Sequence, residues 1–254
     1  MRRVPRLGAL GRLLGTRPVE LRPAPSVQGQ AVEVSSPAPK KTARRAGGPD
    51  VGPRAFTTLW TASQVLRVRR ANLSGSPLAM TFGGPHNSAP SFIRAGVGPG
   101  DIVMPVQVKD GRLHVLAAMR VAELLRVEDY VARHPEEFSR VRTHPEFERL
   151  LPHLETPHQQ ATWLVRLWLM GRPKVAAACP GEATEVIVGE GVLPISLTRV
   201  APPELVLALR WQSGRRPVRA IRHLDPDGRI ERSVTMQGIY RLTPDSEAAL
   251  LALA

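Results

Sequence analysis

The residues of this chain best suited to chemistry are cations and a few aromatics. Arg67, Arg69 and Arg70 lie in one amphipathic segment, and Arg67 and Arg70, three apart, share a helix face. With Arg94 they form one candidate set of phosphate contacts. Arg215, Arg216, Arg219 and Arg222 form a second basic run next to Trp211, and Arg216 is the phosphate contact expected there. A basic run is also what a solvated face looks like, so charge by itself does not decide. Nucleophilic chemistry has little to stand on. The single cysteine, Cys179, precedes Pro180-Gly181, and no base is placed beside it. His134, His144, His153 and His158 sit beside prolines, with no His-Glu-x-x-His and no pair four apart on one helix. There is no Walker loop, no dinucleotide glycine fingerprint and no Gly-x-Ser-x-Gly elbow. These absences point away from an enzyme, and neither a metal nor a cofactor is expected.

Charge extends this reading. The formal net charge is +13 and hydrophobic residues make up 43% of the 254. Lys and Arg that neutralise phosphates release condensed counterions, so nucleic acid, DNA or RNA, is the expected partner. The charge is uneven: residues 1–55 hold 11 Lys/Arg and 3 Asp/Glu, the rest 24 and 19. Arginine greatly outnumbers lysine, which a GC-rich genome produces without any function. One cysteine precludes an internal disulfide and suits a reducing, cytoplasmic compartment. No stretch approaches the ~18 consecutive apolar residues of a membrane span, so no membrane partner is expected. Leu7–Leu14 is interrupted by Arg12 and is not read as a signal peptide; an Arg-rich, acid-poor opening also suits an organelle transit segment or a misassigned start codon.

The elements that must position these residues follow from pattern. Residues 1–54 mix Pro, Gly, Ala, Ser and Arg without period and are expected to be a disordered basic tail, with Lys40, Lys41, Arg44 and Arg45 adding salt-sensitive affinity. Residues 55–254 are expected to form one domain. Phe56–Trp60 reads as a strand, Thr61-Ala62-Ser63-Gln64 as a helix capping box, and Leu78–Phe82 as a second strand. Ala89–Ala95 reads as a short helix. Ile102–Val108 and Leu113–Val121 are strands joined through Asp110-Gly111, the strongest hairpin signal in the chain. Residues 122–170 change to helical patterns over Ala122–Arg133, Pro135–Leu151 and His158–Met170. Strands return at Thr184–Val188, Leu205–Trp211 (whose spacing also suits a short helix), Val218–Arg222 and Gly228–Thr235. Thr243-Pro244 opens a final helix whose Ala249, Leu250 and Leu253 would face the core. Strands, a helical excursion, strands and a last helix make an α+β fold.

Two segments carry a resemblance. Phe82-Gly83-Gly84-Pro85-His86-Asn87, then Val97-Gly98-Pro99-Gly100-Asp101-Ile102-Val103-Met104-Pro105, then Met119-Arg120-Val121, resemble the EVE branch of the PUA-like superfamily. Met236-Gln237-Gly238-Ile239-Tyr240-Arg241-Leu242-Thr243 is similar to the closing strand and helix entry of such domains. The chain departs from the family after Trp60, at His86, and in the length of residues 122–170. The resemblance implies a PUA-like mixed β-barrel with a helical insertion. It also implies an aromatic pocket for a base taken out of the helix, with Trp60 stacking and Phe82, Asn87 and Ser88 lining the same pocket. The plainer reading makes Trp60 and Phe82 core residues and Asn87 a helix cap. The functional expectation is a non-catalytic module that binds nucleic acid, with a modified or flipped base as one target. The alternative is a protein-interaction, immunity or regulatory module working through helices 122–170 and Trp163 and Trp168.

Overall fold

The computed structural model describes residues 52–84, 90–170, 183–212 and 217–253. The chain divides into Met1–Gly47 and Gly48–Ala254, and every described residue belongs to the second unit. The proposed tail therefore lies outside the described residues, apart from its last three positions. Arg54 among those belongs to the fold, because its backbone and guanidinium both bond the Asp101 carboxylate.

The architecture is α+β. β1 (Ala55–Leu59) leads through Trp60 into α1 (Ala62–Arg70). The capping box is made as expected: the Gln64 amide donates to the Thr61 hydroxyl and the Thr61 amide to the Gln64 side chain. Replacing Thr61 with alanine is therefore expected to cost about 1 kcal/mol. Thermal unfolding should then show the midpoint falling by roughly 2–4 °C for a domain of this size. β2 (Met80–Gly83) and α2 (Phe92–Ala95) follow. β3 (Ile102–Lys109) turns at Asp110-Gly111, both at positive φ, 52° and 75°, the signature of the tight hairpin turn that Asp-Gly favours.

The return strand predicted over Leu113–Val121 is two strands, β4 (Arg112–Val115) and β5 (Ala118–Arg126), interrupted at Leu116-Ala117. β4 pairs with the end of β3, and β5 pairs with the start of β3 on one side and, along its whole length, with β6 (Glu185–Leu193) on the other. Residues 122–126, predicted helical, are thus strand: Glu123, Leu124 and Leu125 pair with Val188, Ile187 and Val186. Ladder pairing outweighs the local helical preference of Ala-Glu-Leu-Leu. The helical region begins only at α3 (Val127–Arg133). The single helix predicted over Pro135–Leu151 is broken at His144, because a residue before proline avoids the helical conformation, giving α4 (Pro135–Arg142) and α5 (Pro145–Leu150). α6 (Pro157–Met170) completes the region.

Beyond β6, Leu205–Trp211 divides into α7 (Pro203–Ala208) and β7 (Arg210–Trp211), and the helical alternative covers most of it. β8 (Arg219–Ala220) pairs with β7. The strand expected at Gly228–Thr235 is absent; one bridge, Leu224↔Ile230, and a 3-10 turn over Ser233–Met236 take its place. β9 (Ile239–Arg241) and α8 (Pro244–Leu251) close the chain. Leu250 is fully buried, whereas Ala249 and Leu253 are half-buried. The Thr243 side chain does not cap a backbone amide of α8 and donates to Ser246 instead.

The seven-stranded mixed sheet runs β2-β6-β5-β3-β1-β9, with β4 on β3; β1 and β3 are parallel. It does not close into a barrel among the described residues. The outer side of β9 is taken by the β7 segment through the bridge Trp211↔Leu242, and Met80 and Phe82 of β2 pack into the helical region. Three apolar clusters result. One lies between the sheet and the C-terminal elements, one surrounds Trp60 and Phe92, and one joins β2 to α3–α6.

Candidate nucleic-acid interface

Register builds the most distinctive pocket. Trp211 on β7 sits opposite Arg219 on β8 and opposite Leu242 beyond β9. Side chains two apart on a strand share a face, so Tyr240 lies diagonally across from Trp211, within the reach of large rings. The two rings stack with centroids 4.4 Å apart and planes 9° from parallel. Ile221 and Met236 are buried beneath this corner. Above it, the Trp211–Tyr240 pair, Arg219, Arg222, His223, Val234 and Thr235 line a pocket of about 240 Å³.

Five details make this pocket unlike a packing defect. Burial raises the Tyr240 phenol above its ordinary range, and the nearby charges of Arg219 and Arg222 pull it part of the way back. The phenol hydroxyl is fixed by donating to the Gln237 carbonyl at 2.7 Å. His223 holds the left-handed backbone, φ 54°, uncommon for a residue other than glycine. The Trp211 indole N–H is buried without a hydrogen-bond partner among the described residues, and a buried unpaired donor costs about 1–3 kcal/mol. Gly238, at φ 137°, lies so close to Tyr240 that a Cβ there would sit 3.0 Å from the phenol ring. A side chain there would push the phenol ring by a few tenths of an ångström, and φ 137° is a backbone conformation that residues other than glycine rarely adopt.

The other predicted contacts are dispersed. Trp60 and Phe82 are each 3% exposed, and they lie in different cores, Trp60 with Phe56 and Leu73, Phe82 with Val186 and the α3–α6 helices. As described, neither ring offers a face to a ligand, and the two do not wall one pocket. Asn87, Ser88 and Arg216 lie outside the described residues. Arg67 and Arg70 are exposed in the last turn of α1, and Arg94 is exposed in that of α2. The basic run beside Trp211 was legible; the aromatic partner Tyr240, in a distant strand, was not. No family model, curated protein or solved structure matches the chain.

Other features carry less. A pocket of about 450 Å³ opens between the β3–β4 turn, Val200–Pro203 and Asp227–Arg229, but it has no aromatic wall, and its charged residues are exposed. Ligand atoms of His134, Glu136 and Glu137 lie within 4.8 Å of one another. The two acids open α4, where negative charge suits the helix dipole, and that accounts for them. In the helical region Trp168 is buried, and Trp163 is half-covered by the Arg166 guanidinium, 4.3 Å from its ring centroid. The apolar faces of α3–α6 are turned into their own core. Among the described residues no helix is long and apolar enough to cross a membrane.

Proposed function

We propose that the chain is a non-catalytic nucleic-acid-binding module of the PUA-like, EVE-related kind, acting in the cytoplasm, and that its contact face is the Trp211–Tyr240 pocket. The observation that carries the reading is the convergence of Arg219, Arg222 and His223 on a stacked aromatic pair. Cations track phosphates and aromatic rings accept bases, the combination that single-strand and base-reading surfaces use. The α+β architecture and the Gly100-Asp101 turn ahead of β3 support this reading, although the sheet is open. The alternative of a protein partner on helices 122–170 gains no support, since those helices present no broad apolar face.

The full chain is expected to bind labelled oligonucleotides with an affinity that falls steeply with salt. Arg222→Gln, an exposed change with no acid paired to it among the described residues, should weaken binding and reduce the log–log salt slope by about one. A titration series by fluorescence anisotropy reads both quantities. Unaltered affinity and slope in Arg222→Gln would overturn the assignment of this face.

A further inference from the structure

We infer that the Trp211–Tyr240 pocket takes one unpaired nucleotide, its base against the aromatic wall and its phosphate at the arginine rim, and discriminates against the same nucleotide in a duplex. The inference rests on the nucleic-acid reading above and narrows it to a ligand class. Size is the first ground. About 240 Å³ is less than a drug-sized ligand occupies, and it suits one heterocycle rather than a base pair. Composition is the second. Half-buried Tyr240 and exposed Val234 form the open apolar wall, backed by Trp211, which is 7% exposed and stacked on the phenol ring, and such a wall is useful to a base only through its flat face. In a duplex that face is covered by neighbouring base pairs and only the edges are open, so a base must be unstacked to use it. Position is the third. Arg219 is directly across the ladder from Trp211, and Arg222 lines the same pocket, so both cations stand beside the aromatic surface, within reach of the phosphate of a base lying on it. Thr235 and His223 add a hydroxyl and an imidazole to the lining, groups able to meet a base edge.

The chemistry recognised is that of a nucleoside monophosphate unit, whether free or within a strand. The test uses the full chain and a short mixed-sequence strand carrying a fluorophore, presented alone or annealed to its complement, at fixed salt. Tyr240→Leu and Arg222→Gln are each expected to weaken the single strand on the order of tenfold, the scale of losing one base–aromatic stack, while changing the duplex far less. Arg142→Gln, which removes an exposed charge from α4, should leave both unchanged. Displacement of the labelled strand by an excess of AMP or UMP assigns the pocket to the free nucleotide, and retention assigns it to a strand position. Equal losses on single strand and duplex would overturn this inference and leave nucleic-acid binding standing. Folded variants with no loss on either would overturn both. Tyr240→Leu is checked for its unfolding midpoint, and if it does not fold, the exposed Arg222→Gln carries the same comparison.

Discussion

Replacing Asp101 with alanine is expected to cost about 3–5 kcal/mol, the range for breaking one side of a buried ion pair. The carboxylate is 6% exposed and accepts four hydrogen bonds. The Arg54 amide donates at 3.0 Å, the Arg54 guanidinium at 3.1 and 2.6 Å, and the Gly98 amide at 2.9 Å. The same guanidinium donates to the Gly96 carbonyl at 2.7 Å and lies over the Phe56 ring. Asp101 thereby clamps the start of β1 to the turn that launches β3, just where these parallel neighbours begin their register, Ala55 beside Ile102. Without the carboxylate, two backbone amides and a half-buried cation lose their acceptor together, and such groups are costly to leave unpaired. Against a typical stability of about 5–15 kcal/mol this is a large fraction. Urea unfolding should show the loss. Asp101→Asn, which keeps one acceptor oxygen, should lose less. Arg54→Met should cost markedly less in the Asp101→Ala background than alone, because the two residues act as a pair. A loss below about 1 kcal/mol in Asp101→Ala would mean that the turn holds itself.

That clamp shows what a sequence makes legible. The Gly-Asp turn was visible as a motif, and the resemblance rests partly on it, yet its partner Arg54 was assigned to the tail. Local signals were reliable: the Thr61 box, the Asp110-Gly111 hairpin and the proline-marked helix starts all depend on neighbours within a few residues. Apart from the break at His144, which Pro145 signals locally, errors fell where distant pairing decides. Residues 122–126 have helical composition and become strand because β6 lies alongside. Residues 228–235 have strand composition but find no partner strand, and they settle into a bridge and a 3-10 turn. The site follows the same division. The arginine run beside Trp211 could be read directly, because its members lie close together in the sequence. That Tyr240 lies on the indole is a consequence of the β7–β9 register, which no local pattern encodes. Trp60 drew attention as a rare aromatic at a strand end, and its position between β1 and α1 instead places it inside the second core.

The segment holding Asn87 and Ser88 can be tested through its anchor. Glu185, first residue of β6, is 5% exposed and accepts the Ser91 hydroxyl together with the Phe92 and Ile93 amides, the latter two at 2.7 and 3.3 Å. It also stands opposite Gly83, the last residue of β2. One carboxylate therefore joins the strand that leads into residues 84–90 to the helix turn that leaves them. Phe92 packs so closely on Gly83 that a Cβ there would lie 2.4 Å from its ring, which fixes the same two ends a second time. Glu185→Ala is expected to cost about 2–4 kcal/mol, since it leaves buried backbone donors facing no acceptor. Glu185→Gln should cost less but not nothing, because its oxygen can still accept from both amides while its NH2 meets the Ser91 hydroxyl that now donates to the carboxylate. Hydrogen exchange should show the Phe92 and Ile93 amides of α2 losing protection ahead of the sheet. Protection unchanged in Glu185→Ala would show that α2 holds without it. The same variant separates the two sets of candidate contacts. If residues 84–90 contribute to binding, the folded Glu185→Ala chain loses oligonucleotide affinity. If the Trp211–Tyr240 pocket acts alone, affinity is retained, because Glu185 touches none of its walls.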